Sequence, residues 1–327
     1  MHRLKNTAFI VALGLCLGLS TTQVAAQDGT SIFVVGGKAD DPYWSRVKMG
    51  VEDASLLVEE QGGSVTWLGP QNYDNLGPDA ADLIRTAISQ DADAIIAANW
   101  VPEAQDDAIR AAVEAGVLVI LYGAGGIESA NSLGAMNYIG SDEYLSAVDA
   151  ATYINGHGSS NILCVNTLPG LAVIESRCKG LADGMAAVGG TSTVLPLPAS
   201  AHGNATAVAE AVKATLLTDD TIDGVITVSG ADATSAATAI MQAGAGERVR
   251  LGTFDLDDSS AERIASGEQL FSIDAQQYLY GYLSVFLANA YLNHGFIMPQ
   301  RPILTGSAIV DASNLEATLA GVAAGTR

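Results

Sequence analysis

Asp41-Pro42-Tyr43-Trp44 places a carboxylate and two flat aromatic rings close behind the apolar run Ile32 to Val35, which ends in Gly36-Gly37. A carboxylate accepts hydrogen bonds from hydroxyls, and an aromatic face covers the apolar C–H face of a sugar-like ring. The same kind of position recurs along the chain. Asn99-Trp100 follows the apolar stretch 94–98 and Tyr122 follows 117–121, while Asn166, Ser229 and Asp255 follow 161–165, 224–228 and 249–254. In open α/β sheets ligands bind outside the carboxyl ends of the strands, so these residues are expected to line one crevice. Carboxylates and amides among aromatic rings suit a polyhydroxylated ligand.

Catalytic arrangements are not apparent. Apart from His2, the histidines are His157, His202 and His294, and none has a metal-type spacing or a nearby acid and nucleophile. Gly123-Ala-Gly-Gly126 follows a strand pattern but lacks the dinucleotide fingerprint and the Lys-Ser/Thr of a phosphate loop. Gly-x-Ser-x-Gly does not occur. The expectation is a binding protein that is not an enzyme, with no cofactor and no metal.

The elements that must hold these residues alternate almost without a break. Strand patterns at 31–36, 63–68, 94–98, 117–121, 161–165, 191–196, 224–228, 249–254 and 271–274 interleave with helical patterns at 43–60, 74–90, 102–115, 142–156, 171–187, 204–217, 232–243, 257–266 and 276–294. Such alternation marks βαβ units and parallel sheets. Asp41-Pro42 also reads as a helix start, so Asp41 has two candidate roles, ligand acceptor and N-cap. The turn-rich segment 123–142 separates two series of strands, and a last strand is expected near 304–309. The fold class is α/β, with two doubly wound parallel-sheet lobes joined by a hinge. One lobe is expected over 27–138 plus 275–304, the other over 139–274 plus 305–327.

In order and spacing, these segments resemble the ribose- and galactose-binding family of periplasmic receptors that serve ABC importers, the type I periplasmic binding proteins. The likeness rests on the strand leading into Asp41-Pro42-Tyr43-Trp44, on Asp93-Ala-Ile-Ile-Ala-Ala-Asn99, on the helix carrying Arg177, on Gly252-Thr-Phe-Asp255 and on Ile273-Asp-Ala-Gln-Gln-Tyr-Leu-Tyr-Gly281. The resemblance implies that Asp41 accepts ligand hydroxyls and that Tyr43 and Trp44 supply an aromatic sandwich. Asn99 then acts from its strand end, Arg177 reaches into the cleft from the second lobe, and Asp255 accepts ligand hydroxyls there. Ser229 stands where an asparagine is usual, Gln276 lies beside the hinge-side position occupied here by Ala275, and His202 takes the place of a second-lobe aromatic. Gly123-Ala124 replaces an Asp-Arg pair, which puts ribose itself in doubt. By the same resemblance the protein captures a sugar or polyol, closes over it and delivers it to an inner-membrane ABC permease. The alternative is a sensor subunit presenting the bound sugar to a chemoreceptor or receptor kinase.

Composition sets the compartment. His2, Arg3 and Lys5, the apolar run Ala8 to Leu19 and Val24-Ala25-Ala26 read as a secretory signal peptide over 1–26, cleaved near Ala26/Gln27, which directs the protein to the periplasm. The net charge of −21 becomes about −23 once Arg3 and Lys5 leave. Such a surface repels polyanions, so nucleic acid is not an expected partner. No later stretch is long enough to span a bilayer, and a soluble, monomeric receptor is expected. Cys164 and Cys178 remain after cleavage, and with one in a strand pattern and the other in a helix pattern, buried free thiols are favoured over a disulfide.

Overall fold

The computed structural model describes residues 29–306 and 308–327, so the expected signal peptide lies outside the described residues. The chain runs β1 (Ser31–Val35), α1 (Pro42–Glu59), β2 (Ser64–Leu68), α2 (Leu76–Ser89), β3 (Ala94–Ala97), α3 (Pro102–Glu114), β4 (Leu118–Tyr122), α4 (Gly126–Leu133) and β5 (Asn137–Gly140). It continues as α5 (Glu143–Gly156), β6 (Asn161–Asn166), α6 (Ala172–Ala187), β7 (Thr191–Pro196), α7 (Ala205–Thr218), β8 (Gly224–Thr227), α8 (Gly230–Gln242), β9 (Arg250–Phe254), α9 (Asp258–Ser266) and β10 (Phe271–Asp274). The last elements are α10 (Gln277–His294), β11 (Ile303–Leu304), β12 (Ala308–Val310) and α11 (Leu319–Ala323).

These strands form two six-stranded sheets of matching order, β11-β5-β4-β3-β1-β2 and β12-β10-β9-β8-β6-β7. Neighbours pair in parallel except β10 with β12. Central strands such as β1, β3 and β8 are buried on both faces, which is why they read as continuous apolar runs without alternation. In the first lobe, one core joins the sheet to α1 and α10 and a second joins it to α2, α3 and α4. In the second lobe, α5 and α6 cover one face, and α7 and α8 cover the other. The helix pair α1 and α10 approaches unusually closely: a Cβ on Gly50 would stand 2.0 Å from the Tyr278 carbonyl, and one on Gly281 would stand 2.1 Å from that of Val47.

The chain passes between the sheets after Gly140, between Asp274 and Gln277, and between Leu304 and Ala308. These crossings are bonded to one another. The Thr305 N–H donates to the Gly140 carbonyl at 3.0 Å, its hydroxyl donates to the Ala275 carbonyl at 3.0 Å, and the Gln276 side-chain amide donates to the Thr305 carbonyl. Two parts of the sequence reading change. Segment 123–142, read as turns, contains α4 and β5, and the single strand expected near 304–309 is two short strands that belong to different sheets.

Cys164 and Cys178 form a disulfide, with Cα atoms 5.8 Å apart, so the favoured reading of free thiols is corrected. The physical reason is packing: α6 lies against β6 within one core, which brings Cys178 onto Cys164 at a separation inside the bridging range.

Candidate functional site

The first-lobe wall is aromatic. Asp41 sits at the N-cap of α1 in an extended conformation, and its Oδ1 accepts the N–H groups of Tyr43 at 2.9 Å and Trp44 at 3.2 Å. That fixes the direction in which both rings leave the helix. Trp44 lies among Trp67, Trp100 and Tyr122, with ring centroids 6.4, 5.3 and 5.9 Å away, and forms part of the first-lobe core. Tyr43 packs edge-on against Trp44 and Tyr280. Burial raises the pKa of its hydroxyl well above the usual value, and the negative charges of Asp255 and Glu143 across the cleft add to that shift. Asn99 is fully buried at the end of β3, where its amide donates to Asp106 at 2.9 Å and to Ser129 at 3.0 Å.

The second lobe carries the charge. Arg177 projects from α6 and is only 4% exposed; its Nε donates to Glu143 at 2.6 Å and its Nη1 to the Val228 carbonyl at 2.5 Å. The guanidinium lies 4.3 Å from the centroid of the Phe254 ring, and Asp255 stands 3.9 Å from Nη1. Burial works against the Arg177 charge, but Glu143 and Asp255 outweigh it and hold its pKa above the usual value. Asp255 is pushed up to about 7 by burial, against the opposing pull of Arg177. It occupies a left-handed backbone conformation, φ +70°, which is costly for a residue other than glycine and is often retained at functional positions.

The two walls meet. The Gln277 side-chain amide at the start of α10 donates to Asp255 at 3.1 Å, and the Ala172 N–H of α6 donates to the Trp100 carbonyl at 3.4 Å. Tyr73 of the first lobe packs edge-on against His202 of the second, with centroids 6.0 Å apart. Ser141, beside the first crossing, bonds to both Glu143 and Tyr280, so the hinge and the charged network share hydroxyl groups. Asn99 Oδ1, Gln277 Oε1 and His202 Nδ1 are buried side-chain atoms without a hydrogen-bond partner among the described residues. Such an atom costs about 1–3 kcal/mol unless something bonds it.

The structure therefore brings Tyr43, Arg177 and Asp255 to one interlobe region, with Asp41, Trp44 and Asn99 in the wall behind. Three other expected residues take different surroundings. Ser229 caps α8, accepting the Asp232 N–H and donating to its carboxylate at 2.8 Å. Gln276 turns into the hinge at φ +57°, and His202 lies at the lip against Tyr73. Sequence reasoning did not find Glu143, Ser141, Gln277 or Tyr280. A glutamate in the first turn of a helix reads as an ordinary dipole partner, and nothing in the sequence points from it to Arg177. Among the described residues no His, Cys, Asp and Glu cluster suited to a metal occurs, and no helix is long and apolar enough to cross a membrane.

Two α/β lobes linked by three bonded crossings, with aromatic rings on one side of a cleft and buried charge on the other, define a receptor that encloses a small ligand. A family model described as the periplasmic binding protein domain matches residues 32–295, and the chain belongs to this family. It is a binding protein and not an enzyme. It is 23% identical to the xylose/arabinose-binding protein XylF of Sulfolobus acidocaldarius, over 91% of this chain and 75% of that one. A carbohydrate transporter from Acidothermus cellulolyticus, solved in complex with myo-inositol, superposes with a TM-score of 0.82 at 27% identity, covering 91% of this chain and 99% of that one. An ABC transporter solute-binding protein from Burkholderia graminis, in complex with D-arabinose, gives a TM-score of 0.75 at 20% identity, covering 88% and 96%.

Proposed function

We propose that this protein captures a neutral sugar or cyclitol between its lobes, closes over it in the periplasm and delivers it to an inner-membrane ABC importer. The observation that carries the reading is a buried acceptor left unbonded beside a charged pair: Gln277 Oε1, whose own amide donates to Asp255, which stands 3.9 Å from Arg177. Hydroxyl groups, each both donor and acceptor, can serve an amide oxygen, a carboxylate and a guanidinium at once. Tyr43 offers an apolar face to the ring, with Trp44 packed behind it. The crossings at Ser141, Ala275 to Gln276 and Thr305 act as the hinge, and the ligand favours closure to the extent that it contacts both lobes. The pentoses and myo-inositol bound by the relatives agree with this ligand class.

A thermal-shift screen of pentoses, hexoses and inositols tests the reading, because a ligand that binds only the folded state raises the Tm by mass action. At least one compound is expected to do so. Asp255→Ala is expected to weaken that compound at least tenfold in calorimetry while the fold survives; unchanged affinity removes Asp255 from the site.

A further inference from the structure

We propose that the ligand has two rings, a neutral disaccharide or a glycosylated polyol, with its second ring lying in a groove beside the central grip. This rests on the reading of the interlobe site as a sugar or polyol site. The groove has a volume of ≈ 500 Å³ and runs between Gly123–Gly126 of the first lobe and the first turns of α5 and α6 of the second. That volume lies within the range of small-molecule pockets, roughly 300–1,000 Å³.

Groove and grip share a wall. A Cβ on Gly123 would stand 3.3 Å from the Tyr280 ring and 4.0 Å from Trp44. Ser141 and Glu143, which also line the groove, bond to Tyr280 and Arg177 respectively. The first-lobe side of the groove is kept low by glycine. Gly123, Gly125 and Gly126 have φ values of +65°, +100° and +72°, a region other side chains rarely adopt, and at Gly126 an added Cβ meets nothing within 4 Å.

The lining selects the chemistry of the second ring. Its charged side chains are carboxylates, Glu128, Asp142 and Glu143, with no Lys or Arg among the lining, so a phosphate or carboxylate substituent is repelled. Ser176 offers a hydroxyl, and α4 and α6 begin without side-chain caps, which leaves first-turn N–H groups beyond that of Ala172 to meet ligand oxygens. Ile127, Val173 and Leu304 supply apolar contact for a ring face. A neutral hydroxylated ring fits this set.

The test is calorimetry with maltose, cellobiose, lactose, melibiose and galactinol against their single-ring components. At least one two-ring compound is expected to bind ten times more tightly than either of its parts. Glu128→Trp and Leu145→Trp fill the groove from opposite lobes; each is expected to abolish that advantage while leaving single-ring affinity within twofold. The proposal is overturned if single rings bind and no two-ring compound improves on them. It is overturned equally if the tryptophan variants weaken both kinds of ligand alike, or if they slow association without changing either affinity, since the groove is then part of the grip or an entry path. If no sugar or polyol of either size binds, the sugar reading falls with it.

Discussion

The two lobes are wound alike and equipped differently. Their sheets share a strand order, but the first lobe offers the cleft rings and amides, whereas the second offers Arg177, Asp255 and Glu143. The charged network is nearly complete within the second lobe, because Arg177 takes Glu143, the Val228 carbonyl and the Phe254 face from its own side. Its geometry is therefore set before the lobes meet. The first lobe adds what closure can lay on top: the Tyr43 ring and the Gln277 amide. Such a division lets one lobe preorganise polar contacts while the other excludes water, and electrostatic interactions strengthen when water leaves.

The sharpest way to break this comparison is Arg177→Ala. Glu143 and Asp255 would then face each other buried and without their cation, a defect that costs roughly 3–5 kcal/mol in stability. Urea denaturation measures it, and ligand affinity is expected to fall by at least a hundredfold in calorimetry. Tyr43→Phe removes one hydroxyl from the opposite wall and is expected to change stability by about 1 kcal/mol. Comparable losses from the two substitutions would mean that the lobes divide the work evenly.

Asp255 gives the contrast a pH dependence. Its carboxyl is raised from 3.8 to about 7 by burial, so between those values the folded protein holds a proton that the unfolded chain has released. Stability therefore falls as pH rises through that window and levels off above about 7. Ligand hydroxyls bond best to the ionised form, so affinity runs the other way, rising about tenfold per pH unit up to about 7. Asp255→Asn is expected to flatten both curves. Persistence of the slopes in that variant would assign them to another group.

The Cys164–Cys178 bridge fastens α6, and with it the neighbouring Arg177, to β6. A loop of this length contributes about 3 kcal/mol. Cys164→Ala/Cys178→Ala is expected to lower stability by that amount in denaturation and to weaken the ligand several-fold, because the helix that aims the guanidinium is loosened. Dithiothreitol should destabilise the parent protein and leave the double variant unaffected.

Most of the fold was legible, because strands buried on both faces leave apolar runs and helices leave caps. What escaped was short or polar. The four-residue strand β5 begins at Asn137 and ends at Gly140, and α4 starts inside a glycine cluster, so both carry turn-type residues. The placement of candidate residues was legible where a strand end announces them, as at Asn99 and Asp255. It was hidden where a contact depends on a fold crossing, as at Glu143, which meets Arg177 34 positions away. The pair Gln276 and Gln277 shows the limit of resolution: a left-handed backbone at Gln276 sends one side chain into the hinge and the next to Asp255.

The smallest effect bears on whether the first lobe contributes any charge to the grip. Both cap bonds of Asp41 use Oδ1, so its Oδ2 takes no part in holding the helix, and the carboxylate also bonds the Tyr73 hydroxyl. Asparagine caps as well as aspartate, and Asp41→Asn is expected to leave stability within about 0.5 kcal/mol, whereas Asp41→Ala loses about 1 kcal/mol of capping. In the asparagine variant, however, an amide that only donates replaces Oδ2, and a ligand hydroxyl that donated there would lose its acceptor. Affinity is then expected to fall about tenfold with the fold intact, a separation of effects that a purely structural cap cannot produce. Unchanged affinity in Asp41→Asn would make Asp41 a cap alone and leave all the charge of the grip on the second lobe.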